Sequence, residues 1–551
     1  MKTTLNSRAS VVGALLAALA GLAALSPHSA GAQTPTRDTG FQPAVNRPVY
    51  ALALQADGKI LVGASDELPG PVSETQVANV LYRLEPDGSL DKGFSVTNLW
   101  LTLLDPLAAV TSLLVEGQGS VLVGGSFPAN AANLAVVSTN GALNPGSAPE
   151  FGDFYGRDFS TVDSLAYYGE GKGLLVGTDN VFDGHGNYLT TVYTERFNAD
   201  GSLDTTFKSA VTGALSLLAI QRDGKVLVWG GGSIRRLNAD GTLDSGFNAV
   251  PVASVASAQV QPDGEVLLGG GFTNVAGLPR AGLARLNADG TVDSAFNPRA
   301  DRSVWSLALQ ANGKVLVGGD FSTLDGQAHH SLGRLNPDGT VDSQFNASVD
   351  PDLGVGMLAL QADGKILAVT NLAGQARSGI GRLNNTEPAT QSLTCNGSTI
   401  TWMRGGASPE VWHVTFEVST NGGNWGLLGP GTPIPGGWQL TNAPVPWGST
   451  LRARGYIFSG YDAGCSWFVE TLLSVAAPRI LVNDGQFGFG TNGFGFNLAG
   501  TPGQVVIVER SSDLIHWLPA QTNNLAGGTF CFSDPTATGL ETRFYRARLG
   551  P

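Results

Sequence analysis

Six histidines, three cysteines and 45 acidic residues are the groups with which this 551-residue chain could do acid–base, nucleophilic or metal chemistry. Their spacing argues against all three. His28, His185, His329, His330, His413 and His516 show no metalloprotease spacing, and no serine sits in a Gly-x-Ser-x-Gly elbow. Asp183-Gly184-His185-Gly186-Asn187 and His329-His330 fall in variable loops, where a metal or substrate site competes with an ordinary exposed loop. Asn198, Asp200, Gly201 and Asp204 share some spacing with a calcium loop. They lack its terminal bidentate Glu, and a hairpin turn already explains Asn, Asp and Gly together. The expectation is therefore no catalytic residue, no resident metal and no cofactor. Tryptophan is the better lead for binding: Trp412, Trp438 and Trp447 have Gly or Pro neighbours, which suggests exposed loops where an indole could stack on a sugar ring or meet a protein. Core filling is the competing reading for each.

Those residues hang on a repeat. From about Val49 to Asn384 the chain recurs as apolar strand, Asp-Gly, Val-Leu-Val-Gly-Gly, variable loop, Arg-Leu-Asn-x-Asp-Gly, Leu-Asp-x-x-Phe. In Leu307 to Gly319 two Val- and Leu-rich runs flank Asn312-Gly313, the pair that tolerates the positive φ of a tight hairpin. A second turn at Asn336-Pro337-Asp338-Gly339 leads to Asp342 and Phe345, giving about four strands per repeat, the plan of a propeller blade. The first hairpin recurs at Gly58, Gly119, Gly171, Gly224, Gly264, Gly313 and Gly364, so seven blades are expected. The last copy stops at Arg382-Leu383-Asn384 with no Asp and Phe after it, while an orphan Arg37-Asp38-Thr39-Gly40-Phe41 precedes the first. The N-terminus should donate that missing strand and close the ring.

Lys2 and Arg8 ahead of the apolar run Val11 to Leu25, with Ala30-Gly31-Ala32 before Gln33, read as a secretory signal peptide over residues 1–32. No later segment approaches the roughly 20 apolar residues of a membrane span, so the mature chain is expected to be secreted, outside the cell or at its surface, and monomeric. The net charge of −13 becomes −15 once Lys2 and Arg8 are removed. An acidic chain without basic clusters is a poor nucleic-acid partner, and most of its Asp sits at turns, where the side chain bonds nearby amides. In an oxidising compartment Cys395 and Cys465 are the candidate disulfide. Cys531, between Phe530 and Phe532, would be left as a buried thiol.

After the repeats the composition shifts. Six of the ten Trp lie between Thr390 and Ser474, in alternating runs broken by Gly and Pro, which suggests a Trp-rich immunoglobulin-like β-sandwich over 389–475. A second module over 476–551 shares its plan of strand, polar turn and Trp, as Phe416 to Trp425 and Ile507 to Trp517 show. The fold class expected is thus all-β: a propeller over 33–388 followed by two small sandwiches.

Ala308 to Gly319 and Arg334 to Asn346, with their Gln-x-Asn-Gly-Lys and Arg-Leu-Asn-x-Asp-Gly-x-Val-Asp-x-x-Phe-Asn patterns, resemble the delta-60 repeat β-propellers of secreted bacterial proteins. Asp513 to Trp517 and Arg543 to Ala547 resemble immunoglobulin-like or fibronectin-type-III-like terminal modules. The resemblance implies the fold and no assigned activity. A non-enzymatic scaffold for a glycan or extracellular protein is the function expected, against a polysaccharide-acting enzyme with paired carboxylates in the central channel, or a purely structural matrix component.

Overall fold

The computed structural model describes residues 35–551 apart from 46, 66–79, 97–108, 118, 127–132, 144–160, 170, 183–187, 199–201, 212–215, 348–352, 373–378, 397, 447, 460–463, 502–503, 526, 538–541 and 551. The 1–32 segment read as a signal peptide lies outside the described residues, as do Trp447 and His185. All regular structure in the described residues is β. The chain forms two compact units: the first holds residues up to 389 together with Gly406–Trp412 and Tyr456–Phe468, and the second holds the remainder.

In the first unit, seven successive antiparallel strand triplets begin at Val49–Leu54, Ala109–Val115, Thr161–Gly169, Ser216–Ile220, Ser257–Val260, Val304–Leu309 and Leu353–Leu360; the fourth gains the short strand Val250–Pro251, and the second is paired in parallel by Ser466. Each first strand turns into a second through a hairpin whose glycine, from Gly58 to Gly364, has positive φ. That strand pairs in turn with a third carrying the Arg-Leu element, as Val226–Gly230 pairs with both Ser216–Ile220 and Ser233–Leu237. The fourth strand of the repeat is reduced to a single bridge, such as Leu237 to Leu243 and Leu335 to Val341. Consecutive first strands pack against one another. Their near-continuous apolar runs suit strands covered on both faces, and residues such as Leu217, Val226 and Val228 are fully buried.

Beside this apolar packing, polar contacts join one sheet to the next. In the fourth sheet Asp244 accepts from Arg236 Nε at 2.7 Å and Lys225 Nζ at 3.0 Å. The same Arg236 stacks on Phe247, 4.7 Å from its ring centroid, and donates Nη1 to Ala288 O in the turn of the fifth sheet at 2.6 Å. Lys59, Arg83, Asp91 and Phe94 repeat this arrangement, with Arg83 reaching Thr139 O; so do Lys172, Arg196, Asp204 and Phe207, with Arg196 reaching Ala239 O. The Leu-Asp-x-x-Phe motif therefore serves as a latch: its carboxylate and ring hold a guanidinium that spans the gap between sheets. In the seventh sheet the partners of Arg382 come from the other end of the repeat region. Asp38 accepts from Arg382 Nε at 2.9 Å, Phe41 lies beneath its guanidinium at 4.5 Å, and Arg37 bridges Leu383. Arg382 then donates Nη1 to Pro86 O of the first sheet at 2.5 Å, and Gln42 N bonds Asp87 O at 2.8 Å.

The second unit repeats a module. His413–Ser419 lies between Gly426–Pro430 and Thr450–Ser459, and Val505–Ser511 lies between Leu518–Asn524 and Phe544–Leu549. In both, the edge strand bulges opposite a Glu of the central strand: Leu428 is the extra residue beside Phe416 and Glu417, and Ala520 beside Val508 and Glu509. Glu417 pairs with Arg452 and Arg454, and Glu509 with Arg546 and Arg548. The shared plan of strand, turn and Trp is thus matched by a shared buried carboxylate and a shared Arg-x-Arg.

Candidate functional site

Two places hold functional interest: the hub enclosed by the first strands of the first unit, and the turns of the second unit. The hub is filled by the chain itself. Gly406–Trp412 runs along the sixth sheet, with Ala311 N bonded to Ser408 O at 2.7 Å and Glu410 N to Leu309 O at 2.8 Å. Glu410 also takes Arg222 Nη2 at 3.2 Å. Tyr456–Phe468 enters beside the second and third sheets: Tyr456 stacks on Tyr167, with centroids 3.8 Å apart and planes 8° apart, while Cys465, Trp467 and Phe468 join the apolar cluster shared by the first, second and seventh sheets. Two cavities remain there, of about 30 and 20 Å³, one lined by Ala219, Gln259, Glu410 and Trp412 and the other by Leu309, Leu358, Pro409 and Trp467. Each has room for about one water and none for a sugar ring.

At the opposite ends of the first strands lies a ring of bulges. The register skips one residue at Tyr50, Thr111, Asp163, Leu218, Trp305 and Gly356, each opposite the end of its partner strand that leads into the variable loop. Bulges of this kind re-aim a side chain. Asp163 accepts from Thr161 Oγ1 at 3.1 Å; it keeps solvent access yet is closely surrounded by protein, and that crowding raises its pKa above the usual carboxylate value. A half-buried indole lies near this rim as well, since a Cβ on Gly354 would meet Trp305 at 2.3 Å.

Of the expected sugar-stacking tryptophans, Trp438 and Trp412 are described. Trp438 is 4% exposed and faces fully buried Trp402 across a strand pair; it is core, a correction to the loop expected from its glycine neighbours. Gly437 is in a strand, where a Cβ would stand 2.3 Å from Trp402 O, so that glycine permits close strand approach. Trp412 is half-buried and packs against the apolar clusters of the first unit.

The expected Cys395–Cys465 disulfide is also corrected: all three cysteines are thiols. Cys465 is enclosed in the hub cluster, and Cys395 is buried in the second unit, where burial pushes its thiol up to about 11. Cys531, expected to be buried, is exposed, because in Thr529–Asp534 alternation puts Phe532 inward and Cys531 outward. His329 is buried, which lowers its pKa, whereas His516 is exposed beside Asp513 at 2.7 Å. The Asn-x-Asp-Gly turns use their own carboxylates: Asp240 accepts from Thr242 N at 3.0 Å and Thr242 Oγ1 at 2.6 Å, and these bonds lower its pKa. Among the described residues no group of three or more His, Cys, Asp or Glu is placed to hold a metal ion, and no helix is long and apolar enough to cross a membrane.

The polar turns ahead of Trp425 and Trp517, read from the sequence as a shared plan, were not among the expected binding residues. Ser419 Oγ accepts from Gly422 N and Asn421 Oδ1 from Gly423 N and Asn424 N, which leads the chain into Trp425 beneath Arg452, at 4.0 Å from its ring. Ser511 and Asp513 build the same turn into Trp517, which lies 4.2 Å beneath Arg546. Around Trp517 stand Leu514 at 55%, Ile515 at 76% and Leu518 at 64% exposure.

Residues 55–94, 182–207, 221–247, 261–296 and 310–345 match the family described as a domain of unknown function (DUF5122) beta-propeller. The repeats are those of a β-propeller. Solved structures to which the chain is similar include prolyl oligopeptidase B from Galerina marginata (11% identity, TM-score 0.33, covering 65% of this chain and 55% of that one) and a GH43 endo-arabinanase from Bacillus licheniformis (11%, TM-score 0.24, 51% and 93%). A rhamnogalacturonan lyase stands at 14% identity and TM-score 0.29, covering 65% of this chain and 75% of that one. This chain thus spans about half the length of the prolyl oligopeptidase. No curated protein matches it.

Proposed function

We propose that this is a secreted, monomeric, non-enzymatic scaffold of the delta-60 type: a seven-bladed propeller closed by its N-terminal strand, bearing two immunoglobulin-like sandwich modules, that binds a glycan or protein outside the cell or at its surface. The seven successive sheets and the Asp38 and Phe41 latch on Arg382 support the architecture. A hub packed with the chain's own Trp467, Phe468 and Trp412 favours a scaffold over a channel enzyme. The observation that carries the binding role is the repeated Ser-turn-Trp element, whose second copy presents Leu514, Ile515 and Leu518 to solvent beside Trp517. Exposed apolar residues gathered in one place, next to a ring and a guanidinium, are typical of a recognition patch.

The test is a glycan, polysaccharide and extracellular-protein binding screen on the full chain beside Ile515→Ser and Trp517→Ala variants. Loss of binding in both variants, with an unchanged melting temperature, assigns the site to this turn. Binding that survives both moves the site to the propeller rim of Tyr50, Asp163 and Trp305, and absence of any ligand favours a structural matrix role.

A further inference from the structure

Two pairs of adjacent propeller sheets, the fifth with the sixth and the sixth with the seventh, meet at their first strands through a serine. Ser257 Oγ accepts the Leu307 amide of the next sheet at 3.1 Å, and Ser306 Oγ accepts that of Leu358 at 3.0 Å. Each serine stands opposite a glycine of its own second strand, Gly269 and Gly318. Ser112 stands likewise opposite Gly124, and Leu165 holds the place of Leu358. By the pattern of those two junctions the Leu165 amide should bond Ser112 Oγ.

It does not. A third chain segment lies between them: Leu165 N donates to Gly464 O at 2.9 Å, and Ser112 Oγ donates to that same carbonyl at 2.7 Å. Gly464 bridges Ser164 in parallel, and two residues on Ser466 pairs in parallel with Leu114, so the segment bonds to both sheets at once. The serine has changed from acceptor to donor to serve a carbonyl. The fit is close, since a Cβ on Gly464 would stand 2.0 Å from Ser164 Oγ and 2.6 Å from its Cβ. Main-chain bonding along an extended segment, with a side-chain pocket that enforces one residue type, is how strand-addition sites recognise peptides.

We propose that the junction of the second and third sheets is a peptide-receiving cleft, specific for an extended strand with glycine opposite Ser164, and that the chain's own Gly464–Ser466 is its resident ligand. Ser112 and the Leu165 amide recognise the glycine carbonyl, Leu114 fixes the register, and Ser164 excludes any side chain. Tyr167 stacked on Tyr456 and the Ser466 Oγ bond to Ile457 O at 3.0 Å hold the donor hairpin against the cleft. The same sequence supplied by a separate peptide should fit the cleft once the resident strand is expelled.

The experiment uses the full chain and a fluorescent peptide of residues 464–474 under reducing conditions. The native chain should not bind it, the Gly464→Val chain should bind it saturably, and a peptide with Ala in place of its leading Gly should bind at least about tenfold more weakly. A Gly464→Val chain with the native melting temperature overturns the proposal, as do peptide binding by the native chain, equal binding of the Gly and Ala peptides, or no binding by a folded Gly464→Val chain. Should Gly464→Val fail to fold, Ser112→Ala decides: amide exchange at Leu165 should accelerate at least about tenfold while that at Leu358 stays unchanged, and an unchanged Leu165 rate overturns the assignment.

Discussion

At the residue scale, the repeated Lys, Asp and Arg latch converts charge into sheet-to-sheet order. Arg334 is fully buried, bonded to Asp342 at 2.8 Å, to Asn385 and to Thr386, and stacked 4.7 Å over Phe345. Replacing it with Met would leave the Asp342 carboxylate with Lys314 and the Gln344 amide, so Arg334→Met should cost about 3 kcal/mol in chemical denaturation. Acid should act through the same groups. The Lys59 bond above all holds Asp91, and the Gly246 amide above all holds Asp244, at about 2 against an ordinary 3.8. A depressed folded-state pKa means that the unfolded chain takes up protons first, so this stabilisation is present above pH 3.8 and is lost as pH falls from 3.8 towards 2. The urea midpoint should drop steeply between pH 4 and about 2.5, and an Asp91→Asn, Asp244→Asn chain should start lower and show a shallower drop.

At the element scale, residues 37–42 supply the seventh sheet with the Asp and Phe that its own repeat lacks. Phe41 is 2% exposed and lies beneath Arg382 as Phe247 lies beneath Arg236, although 341 positions separate it from its partner rather than 11. Phe41→Ala should remove about 3 kcal/mol, seen as a lowered melting temperature, and deletion of residues 33–45 should lower it further. An unchanged melting temperature in both would separate the N-terminus from ring closure. Turns and strands of this unit were legible because each repeat writes its own short-range code: Asn-Gly or Asp-Gly for positive φ, alternation of Val and Leu for burial, and Asp with Phe at fixed offsets. The orphan Asp38 and Phe41 were legible for the same reason. Trp438 was not, because a glycine beside a tryptophan signals a loop locally, whereas Gly437 answers a backbone across the sheet. Cys531 was misread by its neighbours in sequence, whose rings lie on the other face of the strand. The Trp425 and Trp517 turns could have been found from Ser-x-Asn and Ser-x-Asp ahead of Trp, but their exposure depends on tertiary packing.

At the scale of the whole molecule, the boundary that composition suggests at Pro388 does not coincide with the compact unit. Gly406–Trp412 and Tyr456–Phe468 belong with the propeller strands, and no local pattern announces this, since the contacts join Ser112 to Gly464 across 352 positions. A chain ending at Pro388 would lose both stretches. Met357, Ala359 and Val49 would then lose Trp467 and Phe468 from their shared cluster, Leu309 O would lose the Glu410 amide, and the Leu165 amide would lose its acceptor. Uncovering several large apolar side chains costs about 1.5–3 kcal/mol each, and a typical domain has only about 5–15 kcal/mol in total. The truncated chain should therefore bind a hydrophobic dye strongly and melt early and broadly by calorimetry, while the full chain melts this unit in one sharp transition. A single transition at the native midpoint for the truncated chain would mean that the hub segments are passengers. That outcome would contradict the strand-receiving cleft too, because a cleft that loses its resident ligand without losing stability was not bound to it.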